Sequence, residues 1–440
     1  MRNANRAPEK DRSIQQAGTI IADGQDTREE SKGKSRIALI LAAMGPGVVT
    51  AMAGNDAGGI STYSTAGAQF GFTTLWTIPI MCVLLIVVQL TASRMGAVTG
   101  KGFAALIRER FGIRLTSLVM LTLVICNVST VWSEFAGIAS GMAIFGVPTY
   151  ISVPIAAAGV WLLIIGGSYK HVERIFLVLS FIFVSYIVAA FMAQPDWNAA
   201  LTATAVPHVL QQSDFMSLTI SMIGTTIAPW MMFNAQSNVV EKGLGIKDMF
   251  SLKVDGISGT IAACLVAWFI IVTTGAVLYP QGIEVNSAAD AAGALAPFAG
   301  QYAQTLFAIG IIAASFLGAC VLPLTTSFVI CEAFGWEAGV SFEWKEAPLF
   351  NSFITFIILI SAVGVLIPNI NLMGIMITSQ LINGIILPVL LICMAVISSD
   401  RHVMGSYINS RISRILLWAT IIIVSALTIT LLGMQLLGMD

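Results

Sequence analysis

Charge is scarce in this sequence. Only 10% of its 440 residues are Asp, Glu, Lys or Arg, 57% are hydrophobic, and the mean hydropathy is +0.87. Soluble domains carry about 25% charged residues, so the composition excludes a soluble globular chain and points to a polytopic membrane protein. Histidine is nearly absent: the three present, His171, His208 and His402, fall in expected loops, which leaves none to relay protons at mid-membrane. The six cysteines, Cys82, Cys126, Cys264, Cys320, Cys331 and Cys393, lie singly in apolar runs without C-x-x-C or Cys/His metal spacing. Such free cysteines read as small packing residues. No P-loop or nucleophile motif occurs, so neither an enzyme nor a resident cofactor is expected. The pair Glu332 and Glu343, near Trp336 and Trp344, reads as an ordinary solvated loop. Net charge is -1 and no basic stripe lies outside the expected loops, so nucleic acid is not an expected partner. A repeated filter motif is also missing, which argues against a channel.

What the chain does have is apolar length. Residues 1–36 are polar and of mixed charge, and they read as a disordered cytoplasmic tail, not a signal peptide. Beyond them, runs long enough to cross a hydrocarbon core predict about eleven helices. These lie near residues 37–67, 72–93, 115–142, 149–167, 172–193, 215–240, 254–279, 301–335, 350–367, 371–398 and 413–437. All 22 Lys and Arg fall on the side shared with the N-terminus, including Arg94 to Arg114, Lys170, Arg174, Lys242 to Lys253, Lys345 and Arg401 to Arg414. The opposite loops carry acids: Asp196, Asp214, Glu284 and Asp290, with Asp440 at the end. Basic loops mark the cytoplasmic side, so the N-terminus is expected inside and the C-terminus outside a multi-pass plasma-membrane protein. The acidic outer face would concentrate cations locally, although solvated loop residues need no such role.

One stretch breaks the apolar pattern. From Gly45 to Gly59 the first helix contains a carboxylate, Asp56, amid glycines. A charge at the bilayer centre costs about 2.5–3.5 kcal/mol on the mildest scales. Glycine-rich backbone at that depth is tolerated beside protein or a water-filled cavity. The expected outcome is a broken helix around an ion or substrate site. Asp56 also suits a helix N-cap, and both roles fit one residue at a break.

A second interruption, Gly224-Thr225-Thr226-Ile227-Ala228-Pro229-Trp230, falls in the sixth helix. Pro229 removes a backbone donor and frees carbonyls at mid-membrane. A lone proline there is an ordinary kink. Breaks in the first and sixth helices, however, are what a five-plus-five inverted repeat produces, with the site between them. The expected fold is therefore an all-α, LeuT-like bundle. Its transporter domain covers residues 37–440, with repeats near 37–193 and 215–398 and an extra helix near 413–437.

Gly45-Pro46-Gly47, eight further residues, and Asp56-Ala57-Gly58-Gly59 together resemble the first helix of the Nramp divalent-metal transporters, whose signature reads GPG and then D-P-G-N. The resemblance continues through residues 66–76, 94–101 and 106–112. It implies a metal site built from the Asp and Asn of D-P-G-N, a Met from a sixth-helix M-P-H motif, backbone carbonyls and a tenth-helix Gln. Carried over, the site comprises Asp56, Gly59, Ala228 and Gln380, with Ala53 and Thr225 beside the breaks and Glu134, Trp230 and Asn383 as secondary candidates.

Departures from that pattern shift the expected ion. The Asn position is Gly59, the Met position Ala228 and the His position Trp230. Loss of the thioether removes the soft ligand that favours Mn, Fe or Cd, and smaller side chains are expected to leave room for water. Mg2+ retains several waters around one or two carboxylates. The acids of the third-helix proton path align with Val124, Val131 and Glu134, of which Glu134 alone survives, and residues 347–351 carry no arginine. These features resemble the Nramp-related magnesium transporter branch, which implies Mg2+ uptake, with Mn2+ as a second cargo, without proton coupling.

Bland readings stand beside these. Glu134 could be a structural acid paired with backbone or Asn127. Gln380 and Asn383 suit interhelical hydrogen bonding, and Trp230 suits a cavity wall. Met52, Met231 and Met232 suit packing. The alternatives for function are a proton-coupled Mn2+/Fe2+ importer, an amino-acid carrier of the same architecture, which Asp56 disfavours by repelling a carboxylate, and a cation channel. The expected partners are a divalent metal ion and the lipid bilayer, with a monomer as the expected state.

Overall fold

Backbone groups in lipid must find their partners within the chain, which restricts spanning structure to helices and closed barrels. A computed structural model, which describes residues 55–166, 185–210, 212–339 and 344–437, takes the helical solution, and no strand occurs among the described residues. Thirteen of its helices matter here: α1 (Ala57–Phe70), α2 (Thr77–Thr99), α3 (Phe103–Ile144), α4 (Thr149–Ile165), α5 (Ser185–Ala193), α6 (Trp197–Ala205), α7 (Ser213–Thr226), α8 (Pro229–Glu241), α9 (Met249–Val277), α10 (Ala303–Phe334), α11 (Pro348–Val365), α12 (Leu372–Ser399) and α13 (Arg411–Leu437). Among the described residues, 8 helical stretches are long and apolar enough to cross a membrane, with α7 and α8 together forming one of them. Most of the segment expected before Asn55, and much of the one expected near 172–193, lies outside the described residues.

The outside of the bundle is as apolar as the inside. Ile412, Ile415, Ile422 and Ile429 project outward from α13, as do Leu359 and Val363 from α11; lipid is the solvent that makes this favourable. Inside, hydroxyl side chains are absorbed by their own helices. Thr326 and Ser327 donate to the carbonyls of Leu322 and Pro323, each four residues back on α10. Such back-bonding lets a helix carry polar atoms through lipid.

Helices α3, α10 and α12 form the centre, with α1 set against α9 and α7 against α12. Glycine makes the tightest crossing possible: a side chain on Gly224 of α7 would overlap the Gln380 carbonyl and the Gly384 backbone of α12.

Two loop expectations need correction. The basic stretch from Arg94 to Arg114 is mostly helical: α2 runs to a left-handed cap at Gly100 (φ 63°), and α3 starts at Phe103 and kinks at Gly112 (φ 76°). Its start is stabilised from far away in sequence, because the Gly102 amide donates to Glu332 Oε1 at 2.9 Å. Glu332 is therefore a helix-capping group on α10, not a loop acid. On the opposite side, Asp196 caps α6 through Ala199 N at 3.0 Å, so that loop too contains a helix.

The charged loops still sort by end. Arg108 bonds the Ala333 carbonyl, Arg110 pairs with Asp400 at 2.9 Å, Arg94 bonds Asn409, and Gln236 bonds the Lys101 carbonyl. These contacts gather the basic segments at one end of the bundle.

Candidate metal centre at the broken helices

Both expected breaks bear on one place. Asp56 has extended backbone (φ -73°, ψ 178°) and its Oδ1 accepts from Gly59 N at 2.6 Å, which starts α1. At the second break α7 stops at Thr226, Ile227 leaves helical geometry, Ala228 becomes the N-cap and Pro229 opens α8. Proline suits that first position because its missing N–H would have no intrahelical partner. Ala228 offers only a methyl group as cap, so the amides of the first turn of α8 face the break without a side-chain acceptor.

The two breaks meet at Gly59. The point where a Cβ on Gly59 would sit lies 2.9 Å from Thr225 Oγ1 and 3.2 Å from Asp56 Oδ1. The expected gap at this position is therefore not open, since the α7 hydroxyl and the α1 carboxylate have closed over it. Thr225 Oγ1 is buried and has no hydrogen-bond partner among the described residues. A buried, unpartnered oxygen next to a carboxylate is suited to ligate a cation or a water.

Room lies instead on the far side of Thr225. A cavity of about 160 Å³ is lined by Asn55, Tyr63, Thr225, Trp230 and Met231 at its inner end, and by Asn238 and Lys242 towards the basic end of the bundle. This holds several waters, since one needs about 10–15 Å³ on this measure. Asn55 Nδ2 and Trp230 Nε1 are buried without a hydrogen-bond partner among the described residues.

Gln380 reaches the first turn of α1 as expected, but with the wrong atom forward. Its Nε2 lies against Gly58, where any side chain would overlap it, while its Oε1 accepts from Asn383 Nδ2 at 3.1 Å. Ligation through Oε1 requires the amide to turn over and give up that bond. Asn383 also donates to Thr130 Oγ1 at 2.9 Å, which makes it a tie between α12 and α3. Asn127 pairs with Thr326 at 2.7 Å, so the pairing of Glu134 with Asn127 does not occur. Glu134 is fully buried beside the start of α1. Ala53, Met52 and the Gly45–Gly47 motif lie outside the described residues.

Several contributors carried no sequence signal of their own. Thr226 Oγ1 donates to the Met222 carbonyl at 2.6 Å, so the Tyr63 hydroxyl, 2.7 Å away, donates to Thr226. That bond ties α1 to the end of α7. Met81 Sδ lies 3.3 Å from the same Thr226 oxygen, and Met376 Sδ accepts from Ser61 Oγ at 3.3 Å. Met376 is thus engaged by a hydroxyl, whereas Met81 only touches a Thr226 oxygen whose proton is committed to Met222. Asn55 is the one addition that adjacency to Asp56 could have suggested.

Comparison with known proteins follows the same lines. Residues 47–433 match the family described as natural resistance-associated macrophage protein-like (Nramp). The chain is 26% identical over 399 residues to the divalent metal cation transporter MntH of Yersinia pestis (strain Pestoides F), covering 89% of this chain and 95% of that protein. It is 23% identical over 432 residues to MntH of Granulibacter bethesdensis, covering 94% of each. Its fold matches the Eremococcus coleocola manganese transporter with a TM-score of 0.73 at 21% identity, over 90% of this chain and 87% of that one. A more distant likeness, TM-score 0.55 at 11% identity over 89% and 92% of the chains, is to Mhp1, a nucleobase-cation-symport-1 family transporter. The bundle is the LeuT-like one expected from the broken helices.

Proposed function

This chain belongs to the Nramp family of divalent-metal transporters, and we propose that its cargo is Mg2+, with Mn2+ carried less selectively, taken up across the plasma membrane without a coupled proton. The observation that carries this reading is Ala228 at the N-cap of α8. With a methyl group there, the groups that meet Asp56 at the Gly59 contact point are oxygens, foremost Thr225 Oγ1, while Met231 lines the cavity next to them. A hard, oxygen-only set has no means of preferring Mn2+ through softness. The cavity beside it supplies space for the waters that Mg2+ is reluctant to lose.

Direction follows from charge. The basic end of the bundle is the cytoplasmic side, so the cavity running from Thr225 to Lys242 faces inward. The halves near 37–193 and 215–398 act as inverted repeats rocking about the breaks. A divalent ion gains about 2.3 kcal/mol per charge for each 100 mV, enough to drive uptake alone. Val124, Val131 and Trp230 stand where a proton path would need titratable groups.

The test is uptake into proteoliposomes under an inside-negative potential. Saturable Mg2+ entry that is lost in Asp56→Ala and leaves internal pH unchanged supports the reading; acidification in step with Mg2+ entry overturns its uncoupled part. A second reading, a Mn2+ carrier, is favoured by the name of the manganese transporter that the fold resembles.

A further inference from the structure

Two of the six cysteines are more than isolated packing residues. Cys82 lies on α2 and Cys264 on α9, antiparallel helices that pack side by side. A glycine gives their register: a Cβ on Gly256 of α9 would meet Leu90 Cδ2 of α2 at 3.4 Å, an ordinary contact. Leu90 lies eight residues beyond Cys82 and Gly256 eight residues before Cys264, so the same pairing brings the two cysteines together. There the Cys264 thiol donates a hydrogen bond to the Cys82 sulfur, and neither cysteine is in a disulfide.

The pair borders the path already described. Cys264 lines the cavity that runs from Thr225 to Lys242, as do Tyr63, Thr226 and Met231. Tyr63 is close enough to Cys264 for charges on the two groups to interact. Its hydroxyl bonds Thr226, whose oxygen touches Met81 Sδ at 3.3 Å. Sulfur thus collects beside the cavity, whereas oxygens meet at its inner end around Asp56 and Thr225.

We infer that Cys82 and Cys264 form a two-thiol site for a soft divalent cation such as Cd2+, reached from the cavity and separate from the cargo site at Asp56. Ligand type selects softness, because thiolate sulfur favours soft ions while Mg2+ takes oxygen. Charge count selects the valence. The thiolate, not the thiol, is the ligand, so each cysteine gives up one proton as its sulfur–metal bond forms. Both protons leave through cavity water, and no electron is transferred. Two thiolates and a divalent ion make a neutral group, which a low-dielectric surround tolerates far better than an unpaired charge. A monovalent soft ion such as Cu+ would leave one negative charge uncompensated. Among the described residues no third His, Cys, Asp or Glu joins the pair, so cavity water completes the shell. The site is a trap on the cavity wall, without the closed four-ligand cage of a structural zinc centre.

Position gives the trap a consequence. An ion on Cys264 stands beside Tyr63, whose bond to Thr226 ties α1 to the end of α7. Cd2+ there blocks the carrier from beside the path, without competing for Asp56. Whether the cargo is Mg2+ or Mn2+ does not enter this inference.

The experiment is equilibrium dialysis of the purified, reduced full chain against 109Cd2+ in millimolar Mg2+, which occupies oxygen sites. Saturable binding of one Cd2+ per chain is expected, accompanied by proton release and retained in Asp56→Asn. Cys82→Ser and Cys264→Ser, each checked for an unchanged melting temperature, should weaken it by at least about tenfold, since even a residue behind a metal ligand is worth that much. On the unsubstituted chain Cd2+ should protect both cysteines together from alkylation, mapped by peptide mass. In proteoliposomes Cd2+ should inhibit 54Mn2+ uptake in a way that more Mn2+ does not relieve and a dithiol chelator reverses, and the double serine variant should lose that inhibition. No Cd2+ binding in Mg2+, or binding undiminished in both serine variants, overturns the inference. So does alkylation of Cys82 and Cys264 that Cd2+ leaves unchanged.

Discussion

The Gln380 amide nitrogen of α12 occupies the place where a side chain on Gly58 of α1 would begin. The first turn after Asp56 is thereby locked against the helix that brings Gln380 to the centre, and the lock needs glycine. Gly58→Ala forces the amide away at a cost of about 1–3 kcal/mol, as overpacking typically does. The expected outcome is a lower melting temperature together with impaired divalent-metal transport, measured in the same detergent preparation and in liposomes made from it.

Asp56 combines two roles that substitution can separate. Asn caps a helix about as well as Asp, whereas Ala costs about 0.5–2 kcal/mol. Asp56→Asn should therefore melt close to wild type while losing divalent-ion binding by calorimetry, and Asp56→Ala should lose both. An Asp56→Asn chain that still binds metal with wild-type affinity would assign the carboxylate to capping alone.

Thr225 supplies the oxygen nearest the Gly59 contact point, 2.9 Å away. Thr225→Val removes that oxygen at nearly constant shape, and it leaves stability almost untouched because no protein hydrogen bond is broken. Loss of one oxygen contact of about 1.4 kcal/mol corresponds to tenfold in affinity, read by calorimetry with Mg2+ and Mn2+.

Much of this arrangement is legible in the sequence, and the reason is local. A carboxylate among glycines, a proline at mid-span and one-sided loop charge are patterns within single segments, and they placed Asp56, the α7–α8 break and the basic end of the bundle. Contacts between segments were not visible. The Tyr63–Thr226 bond spans 163 residues and the Asn383–Thr130 bond 253, and neither follows from spacing. Space was misjudged for the same reason. The loss of an amide at Gly59 suggested an opening, yet Thr225 from another helix closes it, and the open volume lies beside Trp230. Which atom Gln380 presents depended on Asn383 in the same way.

The Tyr63–Thr226 bond joins the two broken helices beside the cavity. Tyr63→Phe removes one buried hydrogen bond, worth about 0.5–1.5 kcal/mol, with little change in shape. It should lower the melting temperature modestly and alter the rate of transport more than metal affinity, checked by paired uptake and calorimetric titrations.

Restoring sulfur at the second break bears on selectivity. Ala228→Met places a thioether at the start of α8, and Mn2+ should then be preferred over Mg2+ relative to the unsubstituted chain, by about tenfold for a soft contact of about 1.4 kcal/mol. Unchanged Mn2+/Mg2+ affinity ratios would remove the ligand argument.

Competition tests the central claim most directly. Uptake of radioactive 54Mn2+ into proteoliposomes holding the wild-type chain is followed while external Mg2+ is raised into the millimolar range. An oxygen-only site with retained waters predicts that Mg2+ suppresses Mn2+ entry fully and saturably. Mn2+ uptake that persists unchanged in excess Mg2+ would contradict the account.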